Sequence, residues 1–265
     1  MPYTGDGVHR NRIRLTTPAA SAKKRDGVPV HLMQVGILAL EEKEIKIGAR
    51  GEKLGGEGMH ERGYFDEIAP RWDAMRRTYF SERVRDRALS EARVQRRKLA
   101  ADVGVGTGFI TEGLIAHGVE VLAIDESLPM LQVLRRKAFG AAGLHCCVGS
   151  AEYLPIRAGA VDYVFANMCL HHVRHPAAAI GEMARILKKG GTLIITDLDE
   201  HAFVFLTEER TDRWMGFRRG DMRTWFAEAG MKDVMVGSTG ERASVPSDST
   251  DNCADIGIFI ARGTK

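Results

Sequence analysis

The sequence predicts an α/β fold in which a seven-stranded, mostly parallel sheet carries helices on both faces. Three observations lead to it: short apolar runs alternate with helical stretches from residue 99 onward, seven such runs can be counted, and a glycine-rich turn follows the first. With 265 residues and 44% hydrophobic content, the chain can bury one sizeable core.

Residues 1–58 stand apart. They are rich in Gly, Lys, Arg and Thr, hold no sustained period, and end in a glycine-rich run, so a disordered or loosely attached segment is expected. A Gly-Gly-Glu-Gly run before a Met is also what a purine-rich ribosome-binding site yields when translated, which makes Met59 the expected natural start. A genuine flexible extension is the alternative. The expected domain is 59–265.

Tyr64 opens a helical pattern in which Phe65, Ile68, Ala69, Trp72 and Met75 share a face, and a second helix is expected over Ser81–Ala92. The strand runs are Leu99–Val103, Val119–Ile124, Leu144–Val148, Val161–Ala166, Thr192–Thr196, Val234–Val236 and Ile256–Ala261. Between them the pattern predicts a helix through Leu114 and His117, one capped by Ser127, one entered at Pro176 and left at Lys188–Gly191, and one over Asp221–Ala229. Residues Gly237–Ala254 read as a loop.

The turn runs Asp102, Val103, Gly104, Val105, Gly106, Thr107, Gly108 between a buried strand and a helix, where small residues let a ligand approach the backbone. Dinucleotide enzymes use a similar turn, but the third glycine of their pattern is Phe109 here, which disfavours pyrophosphate. Asp125, at the end of the second strand, can accept hydrogen bonds from the two hydroxyls of an adenosine ribose. Its alternative reading is a helix-capping acid.

Together with Glu126, the segment Gly149–Ile156, Asp162–Asn167, His171–Val173 and Arg185–Gly191, these motifs resemble class I S-adenosylmethionine-dependent methyltransferases, in particular the UbiE-like (type 11) group. The resemblance covers about residues 64–261 and implies a Rossmann-like sheet with an antiparallel last strand. It also implies S-adenosyl-L-methionine as cofactor, with Asp102, Gly104 and Gly106 facing its methionine part and Asp125 and Glu126 its ribose. Ser150, Ala151 and Glu152 match the adenine-flanking segment, and Asn167 matches a position lining the cofactor and acceptor pocket. Tyr64 and Trp72 fall where the family's leading helices close over the site; ordinary aromatic core is the alternative.

Such a cofactor supplies the electrophile, so the protein's task is alignment and exclusion of water, and no nucleophilic triad is needed. A thiolate, metalloid or stabilised carbanion can react without a general base, whereas a phenol or alcohol requires one. His171 and His201, near strand ends, are the candidates to accept a proton or orient the acceptor; a structural role is the alternative. Asp197, Asp199 and His201 are suitable metal ligand types, but proximity in a loop does not establish convergence, so no metal is expected. Cys146 and Cys147 fall on opposite faces of one strand, leaving Cys169 and Cys253 as at most a two-thiol arsenite site. Trp214, Phe217, Trp225 and Phe226 read as an apolar wall or lid, or as core.

A net charge of +3 indicates no polyanion surface, and the arginines between Arg71 and Lys98 alternate with Asp73, Glu82, Asp86 and Glu91 as on a solvated helix face. Nucleic acid is therefore not the expected partner; a small-molecule acceptor is. No apolar run is long enough to span a bilayer, and the cysteines form no secreted framework, so a cytoplasmic protein is expected. A cofactor-binding protein without catalysis, an arsenite or thiol methyltransferase, an RNA methyltransferase and a nicotinamide oxidoreductase are the rival readings.

Overall fold

The computed structural model describes residues 58–265 apart from 139. The expectations for segment 1–58 lie, but for the opening of the first helix, outside the described residues. Three helices lead in: α1 (Gly58–Ile68), α2 (Trp72–Tyr79) and α3 (Arg83–Ala92). The alternating part follows as β1 (Leu99–Val103), α4 (Phe109–Ala116), β2 (Glu120–Asp125), α5 (Leu128–Lys137), β3 (Leu144–Val148) and β4 (Val161–Asn167). A 3-10 turn (Leu170–His172), α6 (Pro176–Ile186), β5 (Leu187–Leu198), α7 (Phe205–Glu209), α8 (Arg219–Glu228), β6 (Lys232–Pro246) and β7 (Cys253–Thr264) complete it.

The strands form one sheet in the order β3-β2-β1-β4-β5-β7-β6, all parallel except β7. This is the seven-stranded arrangement with an antiparallel last strand that the sequence predicts. All five residues of β1 are buried, as expected of a central parallel strand covered on both faces. Successive side chains serve opposite layers: Ala101 and Val103 join the core under α6 and α8, with Ile180 and Phe226, while Ala100 joins the core with Val84 and Leu114 of α3 and α4. The strand order reverses between β1 and β4, which places a ligand crevice at their carboxyl ends.

Two boundaries depart from the sequence reading. Helix α6 stops at Ile186, because Leu187 already pairs with Val161, and the left-handed turn at Gly190 lies inside an irregular start of β5. The segment read as the loop 237–254 is mostly hairpin: β6 continues to Pro246 and β7 begins at Cys253. Ala243 and Val245 point inward between the exposed Arg242, Ser244 and Pro246. Two apolar positions amid Ser, Thr and Gly carry that alternation, and the register shift around Gly240 interrupts it.

Ser127 caps α5 as predicted, accepting the amide of Met130 at 3.2 Å, and its hydroxyl donates to Asp66 of α1 at 2.6 Å. Ser127→Ala loses both bonds. A loss of about 1–2 kcal/mol in urea unfolding, with α1 becoming the more protease-sensitive helix, is expected.

Candidate functional site

The glycine turn is built by exclusion. Gly104 and Gly106 have φ of +64° and +53°, and a Cβ on Gly104 would overlap the Sγ of Cys169. The parallel register that sets Asp102 beside Ala123 and Val103 beside Ile124 brings the turn level with Asp125. The Gly106 amide donates to one carboxylate oxygen of Asp125 at 2.7 Å, and the Ser127 amide donates to the other at 2.8 Å. Burial nevertheless pushes Asp125 up to about 6, these amides opposing it. Asp102 lies behind the turn, 2% exposed, accepting the Thr111 hydroxyl at 2.6 Å; burial dominates and raises it to about 7.

The other sequence-predicted cofactor residues gather at the same end of the sheet. Glu126 is exposed beside Asp125. Ser150, Ala151 and Glu152 follow β3, with Glu152 accepting the His175 amide at 2.6 Å. Asn167 ends β4 and accepts the Thr196 hydroxyl at 2.8 Å. Phe109 packs edge-on against Phe80 with the Arg76 guanidinium 4.4 Å from its ring centre, so an aromatic anchor stands where dinucleotide folds need a third glycine.

Helices α1 and α2 form a roof over this end. Asp73 accepts the Thr107 hydroxyl at 2.6 Å, and Lys137 reaches Asp73 at 2.7 Å and the Thr107 carbonyl at 3.0 Å. The Trp72 indole nitrogen lies 3.6 Å from where a Gly106 Cβ would stand. Under the roof is a cavity whose wall includes Tyr64, Phe65, Trp72, Tyr79 and Phe80. Its polar side holds His171, His172, Arg210 and Asp212. The Arg210 guanidinium pairs with Asp248. Burial raises the Tyr64 and Tyr79 phenols, with Arg210 acting against it.

His171 is 5% exposed, and its Nδ1 meets Asp197 at 2.6 Å. Burial acts to lower its pKa, but Asp197 and Asp212 outweigh burial and raise it to about 9. Burial, with the neighbouring His171 charge, holds His172 well below the usual imidazole value, and burial raises Asp212 to about 6. Sequence reading missed Asp212. It stands in a loop with no pattern around it, and only the fold brings it to His171.

Other candidates are not brought to the cavity. His201 lies outside its wall, its Nδ1 accepting the Phe203 amide at 3.3 Å. Asp199 is held by Arg219 through two bonds of 2.8 Å and Asp197 by His171, so Asp197, Asp199 and His201 do not share a ligand position. Phe217 and Phe226 are core, and Trp214, 39% exposed, donates to the Val173 carbonyl at 2.9 Å; none of them lines the cavity. The thiols are dispersed: Cys146 and Cys147 on the edge strand β3, Cys169 against Gly104, and Cys253 beside Ser244. The arginines of the leading helices pair with acids, Arg76 with Glu82 and Arg87 with Glu91.

Residues 101–195, which hold the turn, Asp125 and His171, match the family described as "Methyltransferase domain". Over that stretch the chain is similar to class I S-adenosylmethionine-dependent methyltransferase domains. The chain is 30% identical over 168 residues to the chloroplastic 2-methyl-6-phytyl-1,4-hydroquinone methyltransferase 1 of Oryza sativa, matching 62% of this chain and 50% of that protein. It is 31% identical over 145 residues to the demethylmenaquinone methyltransferase of Renibacterium salmoninarum, matching 52% of this chain and 59% of that protein. The matches thus span about half the length of these relatives. Among solved structures, the putative methyltransferase of Haloferax volcanii, in complex with the Trm112 methyltransferase activator, shares the fold with a TM-score of 0.63 at 22% identity, covering 76% of this chain and 96% of that one. Among the described residues of the methyltransferase domain and its flanks, no helix is long and apolar enough to cross a membrane.

The raised Asp102 pKa has a definite sign. The unfolded chain gives up this proton near 3.8 and the folded one near 7, so the carboxyl stabilises the fold less as pH rises through that window. In Asp102→Asn the decline of stability between about pH 4 and 7, followed by urea unfolding, becomes shallower. Gly104→Ala is destabilising by at least about 1–2 kcal/mol from its left-handed backbone. Its cost shrinks, without vanishing, in a Cys169→Gly background that removes the overlap, a double-mutant cycle read by the same unfolding curves.

Proposed function

We propose that residues 59–265 form the catalytic domain of a methyltransferase that transfers a methyl group from S-adenosylmethionine to a small apolar acceptor. One observation carries the reading: Trp72 both overlies Gly106 of the cofactor turn and lines the aromatic cavity, so the two compartments share a wall. The residues present fit the cofactor. The glycine turn keeps its backbone bare, with Cys169 packed where a Gly104 Cβ would stand, and Asp125 keeps acceptor capacity beyond its two amide bonds for ribose hydroxyls. Asp102, Gly104 and Gly106 would hold the methionine part, Asp125 and Glu126 the ribose, and Ser150, Ala151, Glu152 and Asn167 the remaining edge.

When bound, the cofactor supplies a sulfonium-activated methyl group. The chain's part is to align the acceptor and exclude water, and the roof of α1 and α2 does both. The aromatic wall suits a flat, apolar ring, which agrees with the hydroquinone and demethylmenaquinone named for the two relatives. His171, with Nδ1 fixed by Asp197, presents Nε2 to the cavity as the polar group beside an acceptor hydroxyl. The paired arginines favour this over an RNA acceptor, the dispersed thiols favour it over arsenite, and four free cysteines suit a reducing cytoplasm.

The full chain is expected to bind S-adenosylmethionine in titration calorimetry, and Asp125→Ala to weaken that binding about 10- to 100-fold, the worth of one or two hydrogen bonds to a charged group. Incubation with reduced naphthoquinones is expected to yield S-adenosylhomocysteine and a methylated product by mass spectrometry. Failure of the full chain to bind the cofactor overturns the reading; binding without product from any apolar phenol or quinol overturns the acceptor class.

A further inference from the structure

Alignment of a methyl donor and an acceptor does not account for the polar side of the cavity. His171 and His172 of the 3-10 turn and Asp212 of the loop after α7 all line it. Nε2 of His171 stands 3.8 Å, and Nδ1 of His172 4.0 Å, from the same Oδ1 of Asp212. One ligating atom from each of the three lies within 4.8 Å of the other two. These separations are too long for hydrogen bonds. The Asp212 side chain is 5% exposed, and the two imidazoles are the ion-pair partners of its carboxylate among the described residues. A carboxylate so placed is costly to bury unless a cation meets it, and that cation is either protonated His171 beside it or a metal that takes the place of the His171 proton.

We propose that His171, His172 and Asp212 hold a divalent transition-metal cation, of the zinc or ferrous class, with an open coordination position facing the aromatic cavity. Two imidazoles and one carboxylate are a ligand set of that class, and three protein ligands leave a position for water or substrate. A tetrahedral metal about 2.0–2.2 Å from each ligand sets neighbouring ligand atoms about 3.4 Å apart. The two imidazole–carboxylate spacings close to this by about half an ångström, and the imidazole–imidazole spacing, within 4.8 Å, by about 1.4 Å at most.

The surroundings support the same ligation. Asp197 accepts the Leu170 and Leu198 amides at 2.9 and 2.8 Å, which fixes its carboxylate, and meets His171 Nδ1 at 2.6 Å. A metal would displace the Nε2 proton of His171 while Asp197 keeps the one on Nδ1, which turns the Nε2 lone pair toward Asp212 and the metal; a carboxylate behind a ligating imidazole is the usual outer partner of such sites. His172 gives up little, because its contact with the Thr211 carbonyl is 3.4 Å long. The metal site stands on these contacts alone. Its chemical use rests on the reading of the cavity as an acceptor site: an acceptor hydroxyl at the open position would be acidified by the cation and held beside the cofactor turn.

The test uses the untagged full chain, stripped with chelator and titrated with cobalt(II), whose visible absorption reports tetrahedral ligation, followed by displacement with zinc. One equivalent is expected to bind with visible bands. Asp212→Asn and His172→Ala are each expected to lose more than the about 10- to 100-fold in affinity that Asp197→Asn costs. Circular dichroism and S-adenosylmethionine calorimetry on each variant identify any that fail to fold. Absence of cobalt bands in a wild-type chain that binds the cofactor overturns the proposal, as does equal affinity in a folded Asp212→Asn, His172→Ala double variant. Cobalt binding in a chain that takes no S-adenosylmethionine leaves the metal site standing and removes the methyltransferase reading, so the two failures are distinct.

Discussion

The hydrogen bond from the Gly106 amide to the Asp125 carboxylate is the constraint on which the site depends. A parallel register alone brings the ends of β1 and β2 level, but this 2.7 Å bond closes the turn onto the second strand. The other oxygen of the carboxylate takes the Ser127 amide, and Ser127 caps α5 while its hydroxyl reaches Asp66 of α1. One side chain thus sets the turn, starts a helix and, through a second, anchors the roof.

Buried carboxylates recur at this end of the sheet, and their partners differ. Asp102 has a hydroxyl donor, Asp125 two amides, and Asp197 two amides and an imidazole. Among the described residues, Asp212 is met by imidazole nitrogens at nearly 4 Å and by the charge of Arg210. Burial raises Asp102, Asp125 and Asp212, and it is opposed by donors at the first two and by neighbouring cations at the third. The series runs from carboxylates held by hydrogen bonds to one met by the charges of its neighbours.

Much of the fold is legible in the sequence because its central strands are buried on both faces. Leu99–Val103, buried along its whole length, is read to the residue, and so is the half-buried edge strand Leu144–Val148, which stands between Gly143 and Gly149. The β6–β7 hairpin is not legible past Gly237. Its outer half is buried on one face only, and there the inward positions are Ala243 and Val245 among Ser, Thr and Gly. The same contrast holds in the site. Asp125 sits at a fixed offset from a strand and a turn, whereas Asp212 owes its place to the packing of a loop against the 3-10 turn, a long-range contact that no local spacing encodes. His201 illustrates the converse: a place in sequence beside Asp197 and Asp199 makes no shared ligand position, because His171 holds Asp197 and Arg219 holds Asp199.

Trp72 and Asp73 are consecutive residues at the start of α2, and they face different duties. The indole lies against the glycine turn and the cavity, while the carboxylate grips Thr107 and Lys137. One peptide unit thus ties the wall of the cavity to the clasp on the turn, and the first turn of α2 is a support that both compartments share.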